Sequence, residues 1–167
     1  NVAYGLKLRK LDRATIREKV TRILKLVGLE DTGKKKAKSF SLGMKQRLGF
    51  AIALAGDPDF LVLDEPTSQL DPIAASDFLA LLGKINRELG ITVILTEHRL
   101  EEAFPFATRV IVMEKGRIVC DDVPEKVGLA LREKGSGMFL AMPTAMRVWA
   151  GVETELSEGL NVIEKVL

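Results

Sequence analysis

The sequence predicts an α/β layered domain preceded by a small helical piece, and three observations carry that prediction. First, the apolar run Phe60-Leu61-Val62-Leu63, bounded by Asp57-Pro58 and Pro66, reads as a buried parallel strand. Second, Thr92-Val93-Ile94-Leu95-Thr96 reads as another β-branched strand, followed by Glu97-His98. Third, helical periodicity fills the chain before and between these runs, so helix, strand, helix and strand alternate.

In order, Asp12 to Leu29 reads as an amphipathic helix, with Ile16, Val20, Ile23 and Val27 on one face and Arg13, Arg17, Glu18, Lys19 and Arg22 on the other. Gly28 and Gly33 punctuate its end, and Lys34-Lys35-Lys36-Ala37-Lys38 reads as a basic, solvated loop. Gly43 to Ala55 reads as a second helix, with Leu48, Ile52 and Ala55 as its apolar face and Gly56-Asp57-Pro58 as its stop. Pro72 sits at a first-turn position of a long helix whose buried stripe is Phe78, Leu82, Ile85 and Leu89, closed by Gly90. A short helix with Leu100 and Ala103 reaches Pro105, and a hairpin turns at Lys115-Gly116 between Arg109–Glu114 and Arg117–Asp121. Pro124 opens another helix, ended by Gly135-Ser136-Gly137. Beyond Met138 the pattern predicts a helix from Pro143 to Val152 with Met146, Val148 and Trp149 partly buried. Leu156, Leu160, Ile163 and Leu167 then recur at helical spacing, in part as linker.

Composition sets the class. The hydrophobic share of 47% and charged share of 29% suit a globular domain. A net charge of +2 gives no argument for nucleic acid as a partner. One cysteine, Cys120, rules out a disulfide framework within the sequence and points to a reducing compartment. No stretch reaches the roughly 18 uninterrupted apolar residues that a bilayer span needs; the best candidate, Met138 to Val152, is broken by Pro143 and Arg147. The sequence opens at Asn1 within an apolar stretch, which is expected of a piece of a longer polypeptide.

The chemistry concentrates between Phe40 and His98. Ligands of open α/β sheets sit outside the carboxyl ends of the strands, so Asp64 and Glu65 project toward a site. Phosphoryl transfer needs a hard cation across the phosphate oxygens and a group that orients the attacking water. A carboxylate ending a buried strand suits the first task, usually through water, and a second carboxylate beside it suits the other. The plain alternative is a strand followed by solvated acids. Ser41-Leu42-Gly43 sits at a helix start, where unpaired N–H groups and the helix dipole attract anions; a simple N-cap role for Ser41 is compatible with that. His98 is the one histidine and follows the second strand, which places it either in the same site or in a structural role.

Taken together, Ser41-Leu42-Gly43-Met44-Lys45-Gln46-Arg47, Leu61-Val62-Leu63-Asp64-Glu65-Pro66-Thr67, Ser68-Gln69-Leu70-Asp71 and Thr96-Glu97-His98 resemble the ATP-binding-cassette transporter ATPases, from about Tyr4 to Pro124. The resemblance implies a P-loop NTPase-like layered domain with its amino-terminal part missing and a small helical subdomain. It implies ATP and Mg2+ as cofactors. Ser41 and Gly43 would contact the γ-phosphate held by an opposite subunit, and Gln46 lies in the continuation of that motif. Asp64 would direct magnesium, Glu65 would be the catalytic base, Asp71 would sit at the dimer interface, and His98 would be the switch histidine. Leu42 and Met44 stand where the usual Ser-Gly-Gly-Gln has a glycine and a glutamine. No Gly-x-x-x-x-Gly-Lys-Ser/Thr occurs, so this sequence by itself is not expected to hold ATP in the usual way.

The expected organisation is residues 1–56 as helical subdomain with the signature motif, 57–126 as the carboxyl-terminal part of the ATPase core, and 127–167 as a helical extension or linker, or as the lead into a second cassette. The segment from Glu97 to Ala103 and the Met138 to Gly151 stretch resemble energy-coupling-factor ATPases that drive vitamin or metal-ion uptake, while the signature variant leans toward antibiotic-export ATPases. The expected partners are a second ATPase domain, identical or not, and integral membrane transporter subunits at the cytoplasmic face of the cell membrane. A non-transport cassette protein acting on DNA or ribosomes would need coiled-coil arms or a basic linker between cassettes, and neither is visible. A non-catalytic interaction module is disfavoured by the presence of both Glu65 and His98.

Overall fold

The computed structural model describes residues 2–33 and 35–151, in two compact units divided after His98. The segment carrying Leu156 to Leu167, and the linker expected there, lie outside the described residues.

The first unit opens with α1 (Val2–Leu8) and α2 (Arg13–Leu26). Asp12 caps α2, its Oδ1 accepting from Ala14 N at 2.9 Å and Thr15 N at 3.0 Å. The Thr15 hydroxyl and these amides hold the Asp12 carboxyl below its ordinary range. Of the stripe expected on α2, Ile16, Ile23 and Val27 are buried. Gly28 leaves the helix in the left-handed region (φ +69), and a Cβ there would meet Arg47 Nη1 at 3.0 Å. That guanidinium donates to the Val27 carbonyl at 3.2 Å, so Arg47 ties the end of α2 to the next long helix.

That helix, α3 (Leu42–Leu54), begins at the N-cap Ser41. It buries Phe50, Ala51 and Leu54; of the expected face, Ala55 is buried at the helix end, Leu48 is half-buried and Ile52 is exposed. The helix is apolar around most of its circumference, so its sequence period does not select a face. Then comes β1 (Phe60–Asp64), followed by α4 (Pro72–Leu89), which Asp71 caps and Pro72 opens. Gly90 at φ 67 closes α4 in the left-handed conformation. Phe78, Leu82 and Ile85 are buried as expected, with Ala75, Leu79 and Leu81 beside them; Leu89, at the last position, is exposed. Phe78 meets Phe50 edge-on, ring centroids 5.8 Å apart, an arrangement worth about 0.5–1.5 kcal/mol beyond area burial.

The strand β2 (Thr92–Thr96) pairs parallel to β1, with Phe60 opposite Thr92 and Asp64 opposite Thr96. Helix α4 is the crossover between them and packs on β2. Pairs in register share a face, so Leu61, Leu63, Val93 and Leu95 point one way and Phe60, Val62 and Ile94 the other. The strand expected to be buried is buried on one face only: Leu61 is inside, whereas Phe60 and Val62 are 61% and 63% exposed. A parallel strand normally has cover on both faces, and the described residues supply it on one.

The second unit holds α5 (Leu100–Ala103), then the antiparallel hairpin of β3 (Val110–Glu114) and β4 (Arg117–Asp122), then α6 (Pro124–Glu133). Lys115 and Gly116 both have positive φ, as a two-residue hairpin turn requires. Arg109 grips Asp121 through Nε at 2.6 Å and Nη2 at 2.7 Å, which lowers the Asp121 carboxyl and raises the guanidinium. Val112, Val127, Leu131 and Met142 form the core of this unit. Residues 144–151 are helical, and Glu101 accepts from Thr144 N at 2.7 Å at the start of that helix. The expected partial burial of Val148 and Trp149 is not found: both are exposed, and Met142 and Ala150 face inward instead. No helix among the described residues is long and apolar enough to cross a membrane.

Candidate functional site

The parallel pairing sets Asp64 and Glu65 beside Thr96, Glu97 and His98, at the carboxyl ends of the two strands. Asp64 is the last residue of β1, and Thr96 directly opposite donates from Oγ1 to Asp64 Oδ1 at 2.5 Å. At Glu65 the chain turns out of the strand with φ 42, a left-handed conformation that non-glycine residues rarely adopt. Strained backbone of this kind persists only where neighbours hold it. Here the Glu65 N–H is shared between Thr96 O at 3.0 Å and Thr96 Oγ1 at 3.2 Å.

The turn brings the Glu65 carboxylate to the imidazole, with His98 Nε2 at 2.8 Å from Glu65 Oε1. The two side chains are 83% and 44% exposed, so the pair is worth little as a stabilising contact. Its significance is positional: it fixes a carboxylate at the strand ends where water has access.

Thr67 is wholly buried, and its Oγ1 has no hydrogen-bond partner among the described residues. Its backbone N–H donates to Glu97 Oε1 at 2.9 Å. Glu97 therefore pins the loop that follows Glu65. Sequence reasoning placed no role on Glu97 or Thr96, because only the register between the strands reveals what they face. Replacing Glu97 by alanine leaves the buried Thr67 amide without an acceptor, at a cost of about 1–3 kcal/mol. Denaturant unfolding of the full-length protein should show the loss, with faster amide exchange across residues 66–70; unchanged exchange there would remove this role from Glu97.

The remaining candidates lie nearer the helix starts. Ser41 Oγ accepts from Met44 N at 3.3 Å and Asp71 Oδ1 from Ala74 N at 2.9 Å, so each side chain caps the helix it precedes. Gly43 sits in the first turn of α3, where a Cβ would lie 4.0 Å from Leu70 Cδ2, so the start of α3 lies beside the loop that leads to Asp71. Gln46 is half-buried one turn further along α3. Gly28 to Gly33 has the spacing of a phosphate loop, yet Lys35 stands at the Ser/Thr position and the segment follows a helix instead of a strand.

No cluster of three or more His, Cys, Asp or Glu able to hold a metal occurs among the described residues. Asp64 offers one carboxylate, with Oδ1 engaged by Thr96. That fits a magnesium ion whose other ligands are water and phosphate oxygens, the usual arrangement for this cation, and does not fit a resident all-protein metal site.

A parallel strand pair joined by a helix, with adjacent acids and a histidine at its carboxyl ends, fits an α/β layered core of the P-loop NTPase type. Comparison with known proteins narrows the class. Residues 3–68 match the family model described as ABC transporter. An ABC transporter ATP-binding protein of Bacillus cereus is 45% identical over 126 residues, 75% of this chain and 23% of that protein. The methionine import ATP-binding protein MetN of Corynebacterium jeikeium is 49% identical over 119 residues, 71% of this chain and 32% of that protein. The solved structure of cbiO1 from Clostridium perfringens, described as part of the ABC transporter complex cbiONQ, superposes with a TM-score of 0.73 at 33% identity, over 89% of this chain and 59% of that one. The chain belongs to the ABC transporter ATP-binding family, as its motifs led one to expect, and shares the fold of cbiO1. It spans 23% and 32% of the lengths of these two curated relatives.

Proposed function

We propose that the full-length protein is the nucleotide-binding subunit of an ABC transporter, hydrolysing ATP to drive uptake of a vitamin or metal ion in the manner of energy-coupling-factor systems. The Glu65–His98 pair at 2.8 Å, at the carboxyl ends of the strand pair and beside Asp64, carries the reading. Glu65 takes a proton from the attacking water, and His98 holds that carboxylate in place. Asp64 directs the magnesium ion, which when bound neutralises charge on the phosphate oxygens. Ser41 and Gly43, with Gln46 behind them, meet the γ-phosphate of ATP held by a second ATPase domain, and Asp71 lies at the interface of the two. Residues 1–56 act as the helical subdomain facing integral membrane partners, 57–126 as the hydrolytic core, and 127–167 as an extension. The protein works peripherally at the cytoplasmic face of the membrane.

Import rather than export is supported by one likeness: MetN is named for methionine import. The Ser41-Leu42-Gly43-Met44 variant favours export as the second reading. Both are tested by purifying the full-length protein with its membrane subunits and reconstituting it in vesicles. Magnesium-dependent ATP hydrolysis coupled to accumulation of a labelled vitamin, cobalt or nickel on the side bearing the ATPase is expected. Movement away from that side would establish export, and hydrolysis with no coupled solute would point to a non-transport cassette protein.

A further inference from the structure

We infer that Thr96 is a positioning residue that sets the Asp64 and Glu65 carboxylates in their working arrangement; this rests on the reading of Glu65 as the base. The register between β1 and β2 puts Thr96 directly opposite Asp64, with both side chains on the same face. A threonine hydroxyl has one proton to give and lone pairs to accept with, and the geometry uses both capacities. Oγ1 donates to Asp64 Oδ1 at 2.5 Å and accepts from Glu65 N at 3.2 Å. Among the described residues, this is one side-chain atom in contact with both acids.

Each contact constrains a different part of the site. The bond to Oδ1 constrains the plane of the Asp64 carboxylate and leaves Oδ2 as the oxygen available to a cation. The bond to the Glu65 N–H is the second half of a three-centre bond with the Thr96 carbonyl at 3.0 Å. It holds the Glu65 backbone at φ 42, the conformation that turns the carboxylate toward His98. The next two residues extend the same grip, since Glu97 holds the Thr67 amide and His98 holds the Glu65 carboxylate. Three successive residues after Leu95 thus engage groups on both sides of the turn at Glu65. The simpler reading of Thr96 is a β-branched residue that favours a strand. Valine meets that need equally well and lacks the hydroxyl, so it separates the two readings.

The test uses the full-length protein, with kcat expressed per site competent to bind MgATP so that loss of folded material does not register. Thr96→Val should lower kcat about tenfold while KM for MgATP stays within about twofold. Thr96→Ser keeps the hydroxyl and should recover most of the rate. A kcat for Thr96→Val within about twofold of the wild type overturns the inference, as does a Thr96→Ser variant as slow as Thr96→Val. Glu65→Gln is measured alongside. Abolished turnover in Glu65→Gln with a fast Thr96→Val removes the role of Thr96 and keeps the base; normal turnover in Glu65→Gln removes the base and the inference with it.

Discussion

Glu65→Gln in the full-length protein should abolish ATP turnover and leave MgATP binding intact. Removal of a general base typically costs on the order of 10²–10⁴-fold in rate, and glutamine has no basic oxygen to accept the proton from water. The substitution is nearly isosteric, and the backbone amide of Glu65 keeps both bonds to Thr96, so the turn at φ 42 should persist. Glutamine also retains an oxygen that can accept from the His98 ring, so the local fold survives the change. Binding and chemistry should therefore separate: equilibrium nucleotide binding near the wild-type value, and phosphate release close to background. Phosphate release at more than about a tenth of the wild-type rate would remove the base assignment from Glu65. Asp64 would then be the remaining acid at the strand ends, with one oxygen already committed to Thr96.

The parts of this fold that were legible in the sequence are those set by local chemistry. The cap at Ser41, the Pro72 start and the Gly90 stop each follow from one or two side chains acting on the adjacent backbone. The strands Phe60–Asp64 and Thr92–Thr96 were legible from their apolar and β-branched runs. What was not legible depends on tertiary placement. In α3, Phe50, Ala51 and Leu54 face inward because Phe78 of α4 meets Phe50, and nothing local to a helix so uniformly apolar announces that choice. The open face of Phe60 and Val62 was equally hidden, since a run of apolar residues does not reveal which side the described elements cover. The site shows the same division. Asp64, Glu65 and His98 stood out by residue type and by position after strands. Thr96 and Glu97 look in sequence like an ordinary strand end, and acquire meaning through the pairing of Asp64 with Thr96 and the bond to Thr67.

His98→Ala in the full-length protein should lower turnover about a hundredfold, the scale expected when a reacting group loses the partner that orients it. The argument begins with what the pair does not do. Both side chains are open to solvent, so their contact adds little to folding, and the variant should unfold at close to the wild-type temperature. An effect on rate without an effect on stability is then diagnostic of positioning. Without the imidazole, the Glu65 carboxylate keeps its left-handed backbone, because the Thr96 bonds remain, and loses the contact that fixes its side-chain torsions. The carboxylate samples several rotamers in water, and the fraction poised over the attacking water falls. MgATP binding should change less than kcat, because the groups proposed to grip phosphate, Ser41 and Gly43, sit at the N-cap and first turn of α3 and make no bond to the pair among the described residues. His98→Gln offers an amide donor on a side chain of different reach, and partial recovery with it would tie the loss to the hydrogen bond rather than to charge. Full activity in His98→Ala, measured with magnesium and saturating ATP, would return His98 to a structural role and leave Glu65 held by its backbone alone.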